Sequence, residues 1–218
     1  MLNLNGRNPP IKLETNYKDD FHPHGISYLN KNDTSFLFVI NHNDKGEFVE
    51  SFIIENNYLF HQKTFSNELM SCPNDLVAVD VDKFYVTNDH GNKQGIMRIL
   101  EDYLEIASSY LIYFDGDNYR KAYEGLNYAN GVAISNDGLE LYLTHTTGRE
   151  LLTFDRNPAN GYLDIKSTLR LGTGADNINI DEDDNIWIGA HPKLFSFVEH
   201  SKNPSKKITI RDTENKTI

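Results

Sequence analysis

A single cysteine, Cys72, stands among the 218 residues, so no internal disulfide can staple the chain, and it says little about redox compartment. Long apolar runs are missing as well. The longest, FLFVI at residues 36–40, falls far short of the roughly 20 residues that a bilayer-spanning helix needs, so no membrane span is expected. Positive charge is scarce: 21 Lys and Arg against 32 Asp and Glu give a net charge of −11. That balance argues against nucleic acid and anionic membrane surfaces as partners and suits a protein that binds cations. The opening MLNLNGRNPPIKL lacks a charged segment followed by an apolar one, so no secretory signal is visible and localisation stays unknown. No G-x-S-x-G is present, which removes support for a serine nucleophile elbow.

What is present is enough hydrophobic (39%) and aromatic (11%) side chain to bury a real core, and residues 1–218 read as a single domain. The chain repeats. A short polar mouth followed by a β-branched or apolar run recurs as HGISYL from His24, NDLVAV from Asn74, NGVAIS from Asn130 and DNINID from Asp176, at spacings of 50, 56 and 46 residues. Each mouth is followed by a second run ending at a histidine: FLFVINH at His42, KFYVTNDH at His90, LELYLTH at His145 and NIWIGAH at His191. Two further alternating runs fill each period, as in EFVESFIIEN and YLFHQKTF, joined at Asn56-Asn57, a good hairpin pair. SNDG at 135–138 and FDGDN at 114–118 are further turn signals.

Four short strands per roughly 50 residues predict an all-β chain built as propeller blades, between four and five of them in this length. Ile96, Ile99, Leu100, Tyr103 and Leu104 recur at helical spacing and predict one short inserted helix, a lid or wall over the channel mouth. In a propeller the innermost strand of each blade runs beside a central channel, so residues that open those strands converge although they are far apart in sequence. His24, Asn74, Asp75, Asn130, Asp176 and Asn177 are thereby expected at one channel mouth. The set is rich in amide and carboxylate oxygen and has no thiol, and such hard donors favour Ca²⁺ over zinc or copper. Asn, Asp and Gly also open strands simply because they make turns, so any one mouth alone says little.

HPHGIS, FVINH, NDLVAVDVDKFYVTNDH, YANGVAIS, DNINID and IWIGAHP together resemble the corresponding motifs of the paraoxonase/arylesterase family, in the same order and at compatible spacing from about residue 1 to 210. The resemblance implies a six-bladed propeller that hydrolyses lactones and aryl esters with calcium. It further implies a catalytic calcium held by Asn74, Asn130, Asp176 and Asn177, and a structural calcium held by Asp75 and the backbone carbonyl of Ile26. His24 and His42 fall on the family's proposed base and its helper, and His90, Tyr128 and His191 fall on its substrate pocket. The glutamate and aspartate that complete the two calcium sites fall ahead of Met1, and the ring-closing strands fall beyond the C-terminus. On that reading this is a partial propeller with both calcium sites incompletely liganded, weak calcium binding and little turnover. It is also expected to self-associate through open propeller edges.

The chemistry of these residue types agrees with such roles. A cation polarises an ester or lactone carbonyl, and a histidine with a pKa near 6.5 can take a proton from attacking water while a second histidine holds or relays it. Asp176 as base or nucleophile stays open as an alternative. Two other classes also remain: a noncatalytic propeller acting as a binding scaffold, and an enzyme of the gluconolactonase or strictosidine-synthase type. DEDDNIW begins like an EF-hand loop but has Ile186 at position six and Pro192 at position twelve, so it reads as a solvated turn. His22 reads as a surface residue, and KNPSKK at 202–207 as a solvated loop.

Overall fold

The computed structural model describes residues 11–91 and 106–191. The expected helix at Ile96, Ile99, Leu100, Tyr103 and Leu104, and the basic stretch at 202–207, lie outside the described residues. Within them the chain is all-β. The first sheet holds β2 (Pro23–Lys31), β3 (Thr34–Asn43), β4 (Gly46–Glu55) and β5 (Tyr58–Phe65), with β1 (Glu14–Thr15) added in parallel outside β5. The second holds β6 (Pro73–Asp80), β7 (Lys83–Asn88), β8 (Ser109–Phe114) and β9 (Tyr119–Leu126). The third holds β10 (Ala129–Ile134), β11 (Glu140–His145), β12 (Glu150–Arg156) and β13 (Leu163–Arg170). β14 (Gly174–Ile180) and β15 (Ile186–His191) begin a fourth.

Apart from β1, each sheet is an antiparallel meander whose strands pair in sequence order. The inner strands β2, β6, β10 and β14 pack one on the next, which is the blade arrangement of a propeller. Tight turns let each blade fold locally. Asn32-Asp33 and Asn56-Asn57 both adopt positive φ (51° and 59°, 51° and 62°), as the two-residue type I′ hairpin requires. Gly138 closes the SNDG turn at φ 74°, its N–H donating to the Ser135 carbonyl at 2.8 Å.

Blades are held face to face by side chains that alternate along each strand. In β7, Phe84 and Val86 enter a core shared with Phe38, Ile40, Val49 and Phe65 of the first blade. Tyr85, between them, turns the other way to pack with Leu141, Leu143 and Phe154 of the third. Both faces of the second blade are thus covered, and β8 is buried at all six positions. Each fully buried Phe or Leu of this kind is worth about 1.5–3 kcal/mol of transfer free energy, and these two layers set the blade spacing that the site depends on. Along β2 of the first blade, Gly25 and Ser27 are buried while Ile26 (62%) and Tyr28 (59%) are exposed.

Candidate functional site

Every inner strand carries the same irregularity. Its pairing with the second strand slips by one residue between Pro23 and Ile26 in β2, Pro73 and Leu76 in β6, Ala129 and Val132 in β10, and Ala175 and Ile178 in β14. A β-bulge of this kind puts two residues opposite one and re-aims a side chain that regular pleating would turn into the sheet. The bulged pairs are His24-Gly25, Asn74-Asp75, Asn130-Gly131 and Asp176-Asn177. The polar mouths of the sequence are therefore bulges, one per blade at the same height.

Contacts between blades bring the bulges together. The Thr87 hydroxyl accepts the Asp75 N–H at 2.9 Å and donates to the Asn130 carbonyl of the next blade at 2.7 Å. Thr144 repeats this one blade on, accepting the Gly131 N–H at 2.9 Å and donating to the Asp176 carbonyl at 2.6 Å. Where the backbones meet most closely only glycine fits. A Cβ on Gly25 would lie 2.7 Å from the Asn74 carbonyl oxygen, and one on Gly131 would lie 2.5 Å from that of Asp176. Between them the Val132 N–H donates to Asp75 Oδ2 at 3.1 Å, linking the second and third bulges.

The histidine of the first bulge meets the histidine that ends the second strand. His24 Nδ1 lies 2.9 Å from His42 Nε2, with the rings edge to face. On its other side His42 Nδ1 donates to Glu47, the residue directly across the β3–β4 hairpin. Loss of hydration pushes the His24 pKa below the usual histidine value, and the neighbouring His42 adds to this; Asp89 and Asp176 pull the other way. Those opposing carboxylates belong to the second and fourth blades, so charge from both acts on the His24 ring. A ring that is neutral near pH 7 has a lone pair to offer a proton.

Two of the remaining candidate histidines each meet a carboxylate. His191 Nε2 donates to Asp176 Oδ2 at 2.7 Å, and His90 Nδ1 donates to Asp89 Oδ1 at 2.7 Å. The buried His90 ring meets Tyr128 edge-on, centroids 5.1 Å apart. Tyr128 holds φ at 61°, a conformation that bulky residues rarely adopt, immediately before the third bulge. The Asn74 amide nitrogen lies 3.5 Å from Asp89 Oδ2, which leaves its oxygen as an acceptor. Asn177 is exposed, and the Ile26 side chain points to solvent.

Whether these residues suit a hard cation can be asked of the oxygens themselves. Among the described residues Asn130 Oδ1 is buried with no hydrogen-bond partner, while its Nδ2 is committed to Thr146 Oγ1 at 3.1 Å, which orients the amide. An orphaned buried carbonyl oxygen costs about 1–3 kcal/mol unless something coordinates it. Asp75 is 7% exposed, and burial pushes its carboxyl up to about 6 although the Val132 and Leu76 N–H groups oppose the shift. A cation beside either group would offset the penalty, so the donor set fits Ca²⁺. Among the described residues no three His, Cys, Asp or Glu side chains converge as a metal cluster. The candidate donors here are instead mainly amides.

Sequence reasoning missed Glu47, Asp89, Thr87 and Thr144. A usable signal was present for Glu47: H-x4-E occurs twice, at His42-Glu47 and at His145-Glu150, each time where a hairpin sets the two residues directly opposite.

The profile of a protein family described as Arylesterase matches residues 7–217. The chain is 33% identical to serum paraoxonase/arylesterase 2 of Rattus norvegicus over 97% of its own length and 63% of that protein. It is 34% identical to serum paraoxonase/arylesterase 1 of Homo sapiens over 97% of its length and 62% of that protein. It thus spans less than two thirds of these relatives. Among solved structures it is similar in fold to Kuenenia stuttgartiensis hydrazine synthase (TM-score 0.55, 11% identity, 80% of this chain and 60% of that one). It is also similar to a luciferin-regenerating enzyme (TM-score 0.52, 14% identity, 79% and 57%). At such identities these two likenesses speak to fold alone.

Proposed function

The chain belongs to the arylesterase family, and from that premise we propose that it is a calcium-dependent hydrolase of aryl esters or lactones. The observation that carries the reading is the His24–His42 contact at 2.9 Å, placed on the first bulge, where the charges of Asp89 and Asp176 act on the His24 ring. His24 takes a proton from the attacking water, and His42 shares the charge that results. His90, Tyr128 and His191 line the substrate pocket. Asn74, Asn130, Asp176 and Asn177 hold the catalytic calcium, and Asp75 with the Ile26 carbonyl holds a structural one. Bound there, Ca²⁺ supplies Lewis acidity toward a carbonyl oxygen.

Asp176 as base is a second reading, favoured by its contact with His191, which could orient or relay from it. Hydrolysis of phenyl acetate and of a γ-lactone, with and without EGTA, tests the proposal. Chelator-sensitive turnover lost in His24→Gln supports it. Turnover lost in Asp176→Asn but kept in His24→Gln moves the base to Asp176, and calcium binding by calorimetry without any turnover points to a binding scaffold. Exposed Ile26 and Tyr28 on β2 further support self-association, measurable as a concentration-dependent mass in sedimentation.

A further inference from the structure

The His24–His42 contact has two directions, and only one leaves a base. If His42 donates to His24 Nδ1, neutral His24 carries its proton on Nε2 and has nothing to accept with. If His24 Nδ1 donates, Nε2 is bare. The two rings alone have no reason to prefer either arrangement.

Glu47 breaks the tie. It is half-way across a short hairpin, opposite His42 in the β3–β4 register, with its side chain 14% exposed and its Oε2 on His42 Nδ1. A carboxylate accepts and does not donate, so His42 Nδ1 carries the proton. Neutral His42 then has its lone pair on Nε2, and the 2.9 Å contact can only be filled by the proton on His24 Nδ1. The two other carboxylates whose charge acts on His24 are already in contact with histidines: Asp89 with His90, Asp176 with His191.

We propose that Glu47 is a positioning residue that fixes the tautomers of both rings and so keeps His24 Nε2 unprotonated and available. This rests on His24 being the base. In the step it serves, a water O–H bond breaks, its proton joins the Nε2 lone pair, and the freed oxygen pair forms the bond to the carbonyl carbon. The carbonyl π pair moves onto oxygen, and the imidazolium formed is stabilised through His42 by the Glu47 carboxylate.

The test uses ¹⁵N-histidine-labelled chain, with two-bond ¹H–¹⁵N spectra assigned by His24→Gln and His42→Gln. The expected result is a proton on Nδ1 of both His24 and His42. Glu47→Gln, whose amide oxygen still accepts, keeps that pattern; Glu47→Leu shifts His24 toward the Nε2–H form and lowers phenyl acetate turnover about 10²-fold. Unchanged tautomers in Glu47→Leu, or wild-type His42 carrying its proton on Nε2, overturn the proposal. Should Glu47→Leu fail to fold, the wild-type and Glu47→Gln spectra still decide. Near wild-type turnover in His24→Gln, with the tautomers as expected, removes the base reading and leaves the assignment to Glu47 standing.

Discussion

The first and third blades carry the same device and use it differently. In each, the second strand ends at a histidine that faces a glutamate across the hairpin, His42 opposite Glu47 and His145 opposite Glu150. His42 presents Nδ1 to its glutamate and keeps Nε2 for His24. His145 is turned the other way: Nε2 donates to Glu150 at 3.2 Å, and Nδ1 accepts the Asn127 N–H at 3.5 Å. Its side chain is 8% exposed, against 35% for His42. What separates a chemical group from a structural one is then the bulge residue beside it. The first blade offers His24 there; the third offers Asn130, whose amide nitrogen goes to Thr146.

Replacement of His24 is the sharpest way to break this comparison. His24→Gln should lower phenyl acetate turnover about 10²- to 10⁴-fold, whereas His145→Gln should leave it within about a factor of two. Equal losses in the two variants would erase the distinction. Next in size is a buried acid that the first blade has and the third lacks. Glu50 is fully buried and accepts from Tyr17, His61 and Thr64 at 2.8, 2.8 and 2.6 Å. Counting from the paired glutamates, the third blade has Thr153 at this place. Glu50→Ala strands three donors and should cost about 3 kcal/mol in urea unfolding. A cost no larger than that of Thr153→Ala would show the network to be dispensable.

The joints between blades should behave alike where the hairpins do not. Gly25→Ala and Gly131→Ala each force a methyl against neighbouring backbone and should lower stability by about 1–3 kcal/mol, read as a fall in melting temperature. Tolerance at one joint and not the other would mean that the two bulges are not equivalent. The smallest effect expected is one of pH. Burial holds the His145 pKa below the usual histidine value, with Glu150 only partly opposing it. The unfolded chain therefore takes up this proton first, and the stability His145 contributes above pH 6.5 is lost as the pH falls through and below that value. Urea midpoints at pH 7.5 and 5.5 should differ less in His145→Gln than in the parent, and an identical pH response in the two chains would contradict the burial argument.

Much of this architecture is legible in the sequence, for a reason the bulges make plain. Residues that tolerate a bulge and face a channel are short and polar, so His24-Gly25, Asn74-Asp75, Asn130-Gly131 and Asp176-Asn177 stood out against the apolar runs behind them. The strands behind them were readable as unbroken apolar runs where both faces of a blade are covered, as in Phe84, Tyr85 and Val86. Glu47 was not, because an acidic residue beside a turn looks like solvated surface until the register of Asn43 with Gly46 sets it opposite His42. The roles of Thr87 and Thr144 were hidden by distance, since each hydroxyl joins backbone atoms about 12 and 43 or 13 and 32 residues away. Tyr128 at positive φ left no sequence trace at all.

A pair of positions lifted out of the pleat once per blade separates what the molecule can recognise from what keeps it standing. The apolar layers at Phe84 and Leu141 are indifferent to whether His, Asn or Asp occupies the lifted place, because that side chain never enters them. Exchanges there are free to redraw the chemistry of the mouth one spoke at a time, and the glycines at Gly25 and Gly131 mark where that freedom stops.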